Sequence, residues 1–280
     1  MYEITERIEL NKTVTLIKVN APRVAKKAEP GQFIILRTDE NGERIPLTIA
    51  DYDRENGTVT VIFQVVGSTT EKLNHMCVGD SLHDFVGPLG RATETEGLKK
   101  VAVVGGGVGC AIAYPVAKKL HTIGCEVHVI AGFRTKELVI LEDEFKNASS
   151  KFVLMTDDGT AGEKGLVTEA LERLINSGEK YDRVITIGPL PMMKFVCLLT
   201  KKYGIATVAS MNPIMIDGTG MCGGCRLSVG GQMKFACVDG PEFDGHLIDF
   251  DEIIERSLTY RGFERKKHEN TCNLFKKEVQ

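Results

Sequence analysis

The chain has 280 residues, 42% of them hydrophobic and 26% charged, and its formal net charge is −3. This length allows two or three domains with their own cores, and the mild acidity argues against binding to nucleic acid or to an anionic membrane surface. The start MYEITERIEL lacks the apolar segment of a signal peptide, and no apolar run reaches the roughly 20 residues of a membrane helix. We therefore expect a cytoplasmic protein.

Residues 1–98 contain short segments that are typical of β-strands. TVTLIKVNAP, GQFIILRT and TVTVIFQVVG are rich in Val, Ile, Thr and Phe, with glycine, proline and asparagine nearby. Segments of this kind at this spacing, without helical periodicity, predict a first domain that is a small β-barrel or sandwich.

Residues 99–210 alternate between two kinds of segment. Strands are expected in KKVAVVGG, CEVHVIAG, KFVLMTDDG, DRVITIGP and ATVASM, and helices in CAIAYPVAKKLHTIG, ELVILEDEFKNAS, LVTEALERLINSG and MMKFVCLLTKKYG. Strands that alternate with helices predict a second, α/β domain built on a doubly wound parallel sheet.

Residues 211–280 combine a cysteine-rich run, a short amphipathic helix near DFDEIIERSL and a charged tail, which predict a small C-terminal metal-binding module. The chain has eight cysteines and no export signal, so we expect reduced thiols or metal ligands rather than disulfides. Four cysteines outside this module are expected to be small buried hydrophobic residues: Cys77, Cys110, Cys125 and Cys197.

The run DGTGMCGGCRLSVGGQMKFACVDG has the spacing of an iron–sulfur site. Plant-type two-iron clusters use C-x4-C-x2-C and a later cysteine. Here the pattern is D-x4-C-x2-C-x11-C, formed by Asp217, Cys222, Cys225 and Cys237. Glycines between the ligands let backbone N–H groups approach the cluster sulfides. The run therefore predicts a [2Fe–2S] cluster with one carboxylate ligand.

Two alternatives remain open for this run. A C-x2-C pair is also typical of zinc sites. Asp217 could instead cap its own loop, as aspartate often does, and Cys272 in the tail would then supply the fourth thiolate.

The segment VVGGGVGCAIAYP follows a predicted strand and opens a predicted helix, a place where pyrophosphate binds to helix N–H groups. No acidic residue ends the second strand, VIAGFRT, as a dinucleotide fingerprint would require, so tight packing is an alternative role for the glycines. TDDG and IGPLPMM end other strands at the same sheet edge, where ligands of such sheets bind. Together these strand ends predict a dinucleotide site.

A β-barrel, an α/β domain with a glycine loop, and the turn GPLPM resemble the ferredoxin–NADP reductase superfamily. With the cluster run added, the chain is similar to electron-transfer subunits of dihydroorotate dehydrogenase and sulfide dehydrogenase. It is most similar to the small subunit of NADH-dependent ferredoxin:NADP oxidoreductases, where an aspartate ligand is typical.

This resemblance implies FAD in the barrel. The first flavin motif falls at Arg44, Pro46, Leu47 and Thr48, although its arginine position, counted back from Thr48, is Ile45. The second motif falls at Gly67, Ser68 and Thr69, and the turn GPLG at 87–90 would close the barrel.

The resemblance also implies an NAD(H) site in the sheet domain. Its residues would be Gly106, Gly107, Gly109, Arg134, Asp157, Asp158, Gly188 and Pro189. Arg134 could bind a nucleotide phosphate, including the 2′-phosphate of NADP, or it could only pair with Glu137. NAD(H) is preferred on the resemblance alone.

The function implied is hydride exchange between NAD(H) and FAD, followed by exchange of single electrons with the [2Fe–2S] cluster. In the family resembled, a larger subunit with a second flavin and [4Fe–4S] clusters binds NADP(H) and ferredoxin, and the complex performs electron bifurcation. We therefore expect a heterodimer or a higher hetero-oligomer. The electron-transfer subunit of a dihydroorotate dehydrogenase, with cysteine expected in place of Asp217, or of a sulfide dehydrogenase is one alternative. A zinc-bearing nucleotide module without redox activity is another.

Overall fold

The computed structural model describes residues 2–259 together with residues 262 and 263. Within that part of the chain, two seven-stranded sheets and one two-stranded hairpin form the framework. No helix in the described ranges is both long enough and apolar enough to cross a bilayer.

The first sheet is antiparallel and nearly closes into a barrel. Its strands are β1 (Tyr2–Asn11), β2 (Val14–Asn20), β3 (Phe33–Arg37), β4 (Ile45–Asp53), β5 (Thr58–Gln64), β6 (Ser81–Leu82) and β7 (Asp84–Leu89), in the order β6-β1-β2-β5-β4-β3-β7. Helices α1 (Pro22–Ala25) and α2 (Ser68–His75) interrupt the strands. Ile17, Ile34 and Phe63 are among the buried side chains that fill the barrel, as the Val- and Ile-rich strand segments predict.

The second sheet begins with six parallel strands in the order β11-β10-β9-β8-β12-β13. These are β8 (Lys100–Gly106), β9 (Glu126–Phe133), β10 (Lys151–Thr156), β11 (Glu163–Lys164), β12 (Arg183–Ile187) and β13 (Thr207–Ser210). The helices are α3 (Gly109–Thr122), α4 (Glu142–Asn147), α5 (Val167–Asn176) and α6 (Leu190–Lys202). The strand order reverses between β8 and β12, which is where ligands of doubly wound sheets bind.

The C-terminal region folds onto both sheets. It contains the hairpin β14 (Arg226–Val229) and β15 (Gln232–Phe235), helix α7 (Ala236–Asp239), strand β16 (Glu242–Asp244) and helix α8 (Phe250–Leu258). Strand β16 pairs antiparallel with β13 and so completes the second sheet. The predicted fold class is confirmed, with the addition that this strand of the third region belongs to the parallel-sheet layer.

Helix α3 joins the barrel to the sheet. Its buried Ala113 and Val116 share one core with Val14, Ala50 and Ile62 of the barrel. An ion pair of 2.8 Å between Lys118 Nζ and Asp51 Oδ2 closes the surface over this core. The two sheets are therefore held side by side along α3, with a cleft between them.

Two local predictions were wrong. The segment ELVILEDEFKNAS, predicted as one helix, is a 3-10 turn at Lys136–Leu138 and the short α4, separated at Leu141, whose φ of 58° is left-handed. Cys77, predicted to be buried, is exposed in the turn before β6, whereas Cys110, Cys125 and Cys197 are buried as predicted. Cys77 lies in a polar turn in which its backbone N–H donates to Asp80, so its side chain does not reach a hydrophobic core.

Candidate functional site

A cleft of about 1010 Å³ lies between the barrel and the carboxyl edge of the second sheet. This volume is at the upper end of the range of small-molecule and cofactor sites. Ten of the residues predicted for cofactor binding line the cleft: Pro46, Leu47, Thr48, Gly106, Gly107, Gly109, Arg134, Asp157, Gly188 and Pro189. The structure thus brings segments from both sheets to one place.

The barrel wall of the cleft is the first half of β4. Thr48 pairs with Phe33 of the neighbouring strand β3, and Phe33 also lines the cleft. Pro46, Leu47 and Thr48 are half-buried, so they are accessible from the cleft but fixed by the sheet behind them. This wall is mostly apolar and offers one hydroxyl, which suits a planar, partly polar ring.

The glycine loop after β8 requires glycine at two positions. Gly107 has a φ of 55° and donates its N–H to the Gly132 carbonyl at 2.9 Å. A Cβ on Gly109 would lie 2.6 Å from the Ile187 carbonyl oxygen, so α3 can begin here only because Gly109 has no side chain. The two roles considered for these glycines, tight packing and exposure of backbone N–H groups to a ligand, are therefore compatible.

Two helices begin at the cleft without an acidic residue in their first turn. They are α3, which starts at Gly109, and α6, which starts at Leu190 after Pro189. Helix N-termini carry partial positive charge, and a carboxylate there would compete with a bound phosphate. This end of the cleft is thus suited to the phosphates of a dinucleotide.

The ends of β9 and β10 place one cation and one carboxylate at the same cleft. Arg134 and Asp157 are exposed and line the cleft, and no ion pair or side-chain hydrogen bond joins either to another described residue. Glu137, the alternative partner for Arg134, is engaged by the Thr135 hydroxyl, which lowers the pKa of Glu137.

Asp158 differs from Asp157. Its Oδ1 accepts from the backbone N–H and the hydroxyl of Thr160, at 3.0 and 2.7 Å, and these bonds lower the pKa of Asp158. Asp158 therefore shapes the turn after β10 and does not line the cleft, which leaves Asp157 as the carboxylate available to a ligand there.

The second flavin motif forms the N-terminus of α2, a helix that the sequence analysis did not predict. Gly67 precedes the helix, and Ser68 and Thr69 are buried in its first turn. The Thr70 hydroxyl accepts from the N–H groups of Val66 and Gly67 at 3.0 Å each. Val66 and Thr70 line the cleft, whereas the predicted flavin-binding residues Gly67, Ser68 and Thr69 do not.

Arg44 also does not line the cleft. Its Nε donates to the Ile216 carbonyl at 2.9 Å, and one of its terminal nitrogens lies 3.8 Å from Asp84 Oδ2. Arg44 thus contacts the C-terminal loop that carries the predicted cluster ligands.

The loop 217–225 is organised around the Asp217 carboxylate. Oδ1 accepts from the Thr219 N–H at 2.9 Å, and Oδ2 accepts from the N–H groups of Met221 and Cys222 at 3.1 and 2.8 Å. These bonds, that from Thr219 first, lower the pKa of Asp217. The carboxylate is therefore held next to Cys222, and Asp217 does cap its loop.

The four predicted ligands lie as two pairs. Cys225 and Cys237 are buried with their sulfur atoms 3.2 Å apart, and burial raises the pKa of Cys237. Asp217 and the exposed Cys222 form the second pair, in which Cys222 Sγ also accepts from the Gly224 N–H at 3.5 Å. Two pairs of ligand side chains, one pair for each iron, fit a [2Fe–2S] cluster. Cys272 lies outside the described residues.

Several residues of the cleft were not predicted from the sequence. Met211, Asn212 and Met215 come from the segment between β13 and the cluster loop, and Phe195 comes from α6. Met215 is two residues from Asp217, so the cleft and the cluster loop are continuous. No short motif marks these residues, because their placement depends on how the C-terminal region folds back over the sheet.

Comparison with known proteins agrees with this site. Residues 212–249 match the family "Iron-sulfur cluster binding domain of dihydroorotate dehydrogenase B". A dihydroorotate dehydrogenase B (NAD(+)) electron transfer subunit homolog of Thermotoga maritima is 46% identical, covering 95% of this chain and 94% of its own length. An uncharacterized protein in the adh 3′ region of Clostridium beijerinckii is 52% identical, covering 95% of this chain and 93% of its own length.

Among solved structures, a chain from the NADH-dependent reduced ferredoxin-NADP oxidoreductase, studied for flavin-based electron bifurcation, superposes with a TM-score of 0.91. It is 44% identical and covers 96% of this chain and 97% of its own. The cytochrome b5 reductase domain of Ulva prolifera nitrate reductase, 19% identical, covers 73% of this chain and 92% of its own with a TM-score of 0.61, which shows the fold alone.

Fold and site together define an oxidoreductase subunit with a ferredoxin reductase-like fold and an added C-terminal iron–sulfur domain. The chain belongs to the family of dihydroorotate dehydrogenase B electron-transfer subunits and their homologues. The resemblance stated from its motifs is confirmed.

Proposed function

We propose that this chain is the NAD(H)-dependent electron-transfer subunit of an electron-bifurcating ferredoxin:NADP oxidoreductase, carrying FAD and a [2Fe–2S] cluster. The observation that carries the proposal is the continuity of the site. One cleft contains the barrel strand β4, the glycine loop after β8 and Met215, which leads directly into the cluster loop. A hydride donor, a flavin and a one-electron centre can thus occupy neighbouring positions.

The residues of the cleft have separate roles in this proposal. The N–H groups at the start of α3 receive the pyrophosphate of NAD(H), and the Asp157 carboxylate accepts from a ribose hydroxyl. Arg134, which also lines the cleft, would bind a phosphate of the nucleotide. Thr48 would offer its hydroxyl to a flavin ring bound in the cleft, and Phe33, Pro46 and Leu47 would exclude water there. Gly188 and Pro189 shape the turn before α6.

FAD accepts electrons in pairs and the iron–sulfur cluster accepts them singly, so the bound groups together split a hydride into single electrons. The protein supplies position and electrostatics. Asp217, Cys222, Cys225 and Cys237 would hold the cluster. The Gly224 N–H, which donates to Cys222 Sγ, would help to stabilise its negative charge. No acid or base residue is assigned, because hydride transfer to a flavin needs orientation above all.

The homologues are electron-transfer subunits, so a larger partner subunit is implied. We propose that this partner carries a second flavin and [4Fe–4S] clusters, binds NADP(H) and ferredoxin, and forms a hetero-oligomer with this chain in the cytoplasm. The chain described here would be its NAD(H) branch. A second candidate function is that of the electron-transfer subunit of a dihydroorotate dehydrogenase. The Thermotoga maritima homologue, which is described as such a subunit homolog, supports this candidate.

The cofactor content of the purified chain tests this proposal. Protein isolated without oxygen should contain one FAD and one [2Fe–2S] cluster per chain, measured by flavin extraction and by iron and acid-labile sulfide analysis. Zinc in place of iron, without flavin, would support the non-redox nucleotide module and contradict the proposal.

A further inference from the structure

Arg44 lies one residue before the position at which the flavin motif has a phosphate-binding arginine, and it has a partner outside the barrel. Its Nε donates to the Ile216 carbonyl, which is 172 positions away in sequence and immediately precedes Asp217. The flanking residues Ile45 and Pro46 line the cleft, and Arg44 does not.

The motif position and Arg44 are different residues. Counted back from Thr48, the arginine of the motif would be at Ile45, so Arg44 is one residue early and precedes β4. The hydrogen bond to the Ile216 carbonyl directs the guanidinium of Arg44 toward the loop that packs against β3 and β7.

The contact between the barrel and the cluster loop is tight on both sides of Arg44's hydrogen bond. A Cβ on Gly218 would lie 2.7 Å from Leu89 and 3.0 Å from Ile35, and Gly218 has a φ of 76° that favours glycine. On the other side, Asp84 attracts Arg44 and also pairs with Arg37 Nε at 2.8 Å. The guanidinium is therefore oriented by Asp84 before it reaches the loop.

We propose that Arg44 is a positioning residue for the iron–sulfur cluster and does not bind the flavin pyrophosphate. By donating to the Ile216 carbonyl, Arg44 fixes the Ile216–Asp217 peptide and, through it, the Asp217 carboxylate. A hydrogen bond from a charged donor is stronger than a neutral one and is well suited to fixing a peptide plane. The barrel thereby sets the geometry of one cluster ligand.

This inference rests on the proposed function, since it needs a chain that holds FAD and the cluster. The test uses Arg44→Gln, which keeps much of the side-chain length, and Arg44→Lys, which keeps the charge. Arg54→Gln is the matched control, because Arg54 also donates to a backbone carbonyl (Ala28) and pairs with a carboxylate (Glu29) on the barrel. FAD affinity, the electron paramagnetic resonance spectrum of the reduced cluster and its midpoint potential are measured for each.

Arg44→Gln should retain FAD affinity within about threefold of the parent, while its cluster spectrum and midpoint potential change. Arg44→Lys should restore them in part, and Arg54→Gln should leave all three readouts at parental values. A loss of FAD affinity of about tenfold or more in both Arg44 variants would overturn the proposal, as would an unchanged cluster in Arg44→Gln. If the parent chain binds neither FAD nor the cluster, the proposed function itself is contradicted. That outcome is distinct from failure of the Arg44 proposal, in which the parent chain binds both groups.

Discussion

At the scale of single residues, Asp217 has the most consequential position in the cluster loop. Its two carboxylate oxygens accept three backbone N–H groups, and it is also adjacent to Cys222. The two hypotheses drawn from the sequence, a cluster ligand and a loop cap, are therefore compatible in geometry. A carboxylate has enough lone pairs to accept these bonds and to bind a metal as well.

Two substitutions separate the ligand role of Asp217 from its capping role. Asp217→Cys should keep the cluster, because thiolate is a better ligand for iron, but should shift the midpoint potential, on the order of tens of millivolts. Asp217→Asn keeps an oxygen acceptor for the loop and should lose the cluster or bind it weakly. The measurements are iron content, the paramagnetic resonance spectrum and the potential.

The opposite pattern would show that Asp217 only caps the loop. In that case Asp217→Asn would retain an unchanged cluster, and Asp217→Cys would lose stability, about 1 kcal/mol, because three backbone N–H groups of this exposed loop lose their acceptor.

Single site residues could be predicted where the residues that act together are close in sequence. The cysteine spacing predicted four residues that the fold places in two pairs, since the loop that contains them is short. Arg44 could be placed by counting from Thr48, but its partner could not be identified, because Ile216 is distant in sequence. Met215 and Phe33 carried no motif and became cleft residues only through tertiary packing.

At the scale of elements, the regular strands and helices of the second sheet were predictable because their hydrophobic periodicity is strong. Helix α2 was missed, since Leu73 is its single apolar residue and its first turn is Ser-Thr-Thr. The hairpin β14–β15 was also missed, although Gly230 and Gly231 between its strands, with φ of 59° and 74°, are a recognised hairpin signal.

Glu242 on strand β16 is expected to make the stability of the folded chain depend on pH. Glu242 pairs in register with Ser210 of β13, and its Oε1 accepts from the Thr93 hydroxyl at 2.7 Å. Burial raises the pKa of Glu242 to about 7, against the opposing effects of Thr93 and of the charge on Arg183. The carboxyl is enclosed where the barrel, the sheet and the C-terminal region meet.

Because this pKa is higher in the folded chain, folding favours the protonated carboxyl. The resulting stabilisation is complete below the ordinary pKa of 4.5 and is lost as the pH rises through about 7. The parent chain should therefore lose up to about 3 kcal/mol of unfolding free energy across this window through this group. Glu242→Gln should remove that loss and be the more stable protein at pH 8.

Denaturant unfolding of both proteins at pH 5 and pH 8 measures this difference, and Glu96→Gln, at an exposed position, is the control. Equal pH dependence in the parent chain and Glu242→Gln would show that Glu242 does not titrate in this range.

At the scale of the whole molecule, the three-part architecture could be predicted because three successive parts of the sequence differ in composition and pattern. Their assembly was not, because it depends on long-range contacts such as β16 on β13 and α3 against the barrel. These contacts create the cleft and bring the cluster loop to its rim. Each cofactor motif is a short stretch of sequence, but the cleft that joins these motifs forms only when the whole chain is folded.

The most direct test of the central claim, electron transfer from NADH through FAD to the cluster, is an anaerobic titration of the purified chain with NADH. Visible absorption reports the flavin, and paramagnetic resonance of frozen samples reports the reduced cluster. The account predicts that NADH bleaches the flavin and that the signal of a reduced [2Fe–2S] cluster appears with it. A flavin that dithionite reduces but NADH does not would contradict the account, and reduction by NADPH alone would reverse the assignment of the NAD(H) branch.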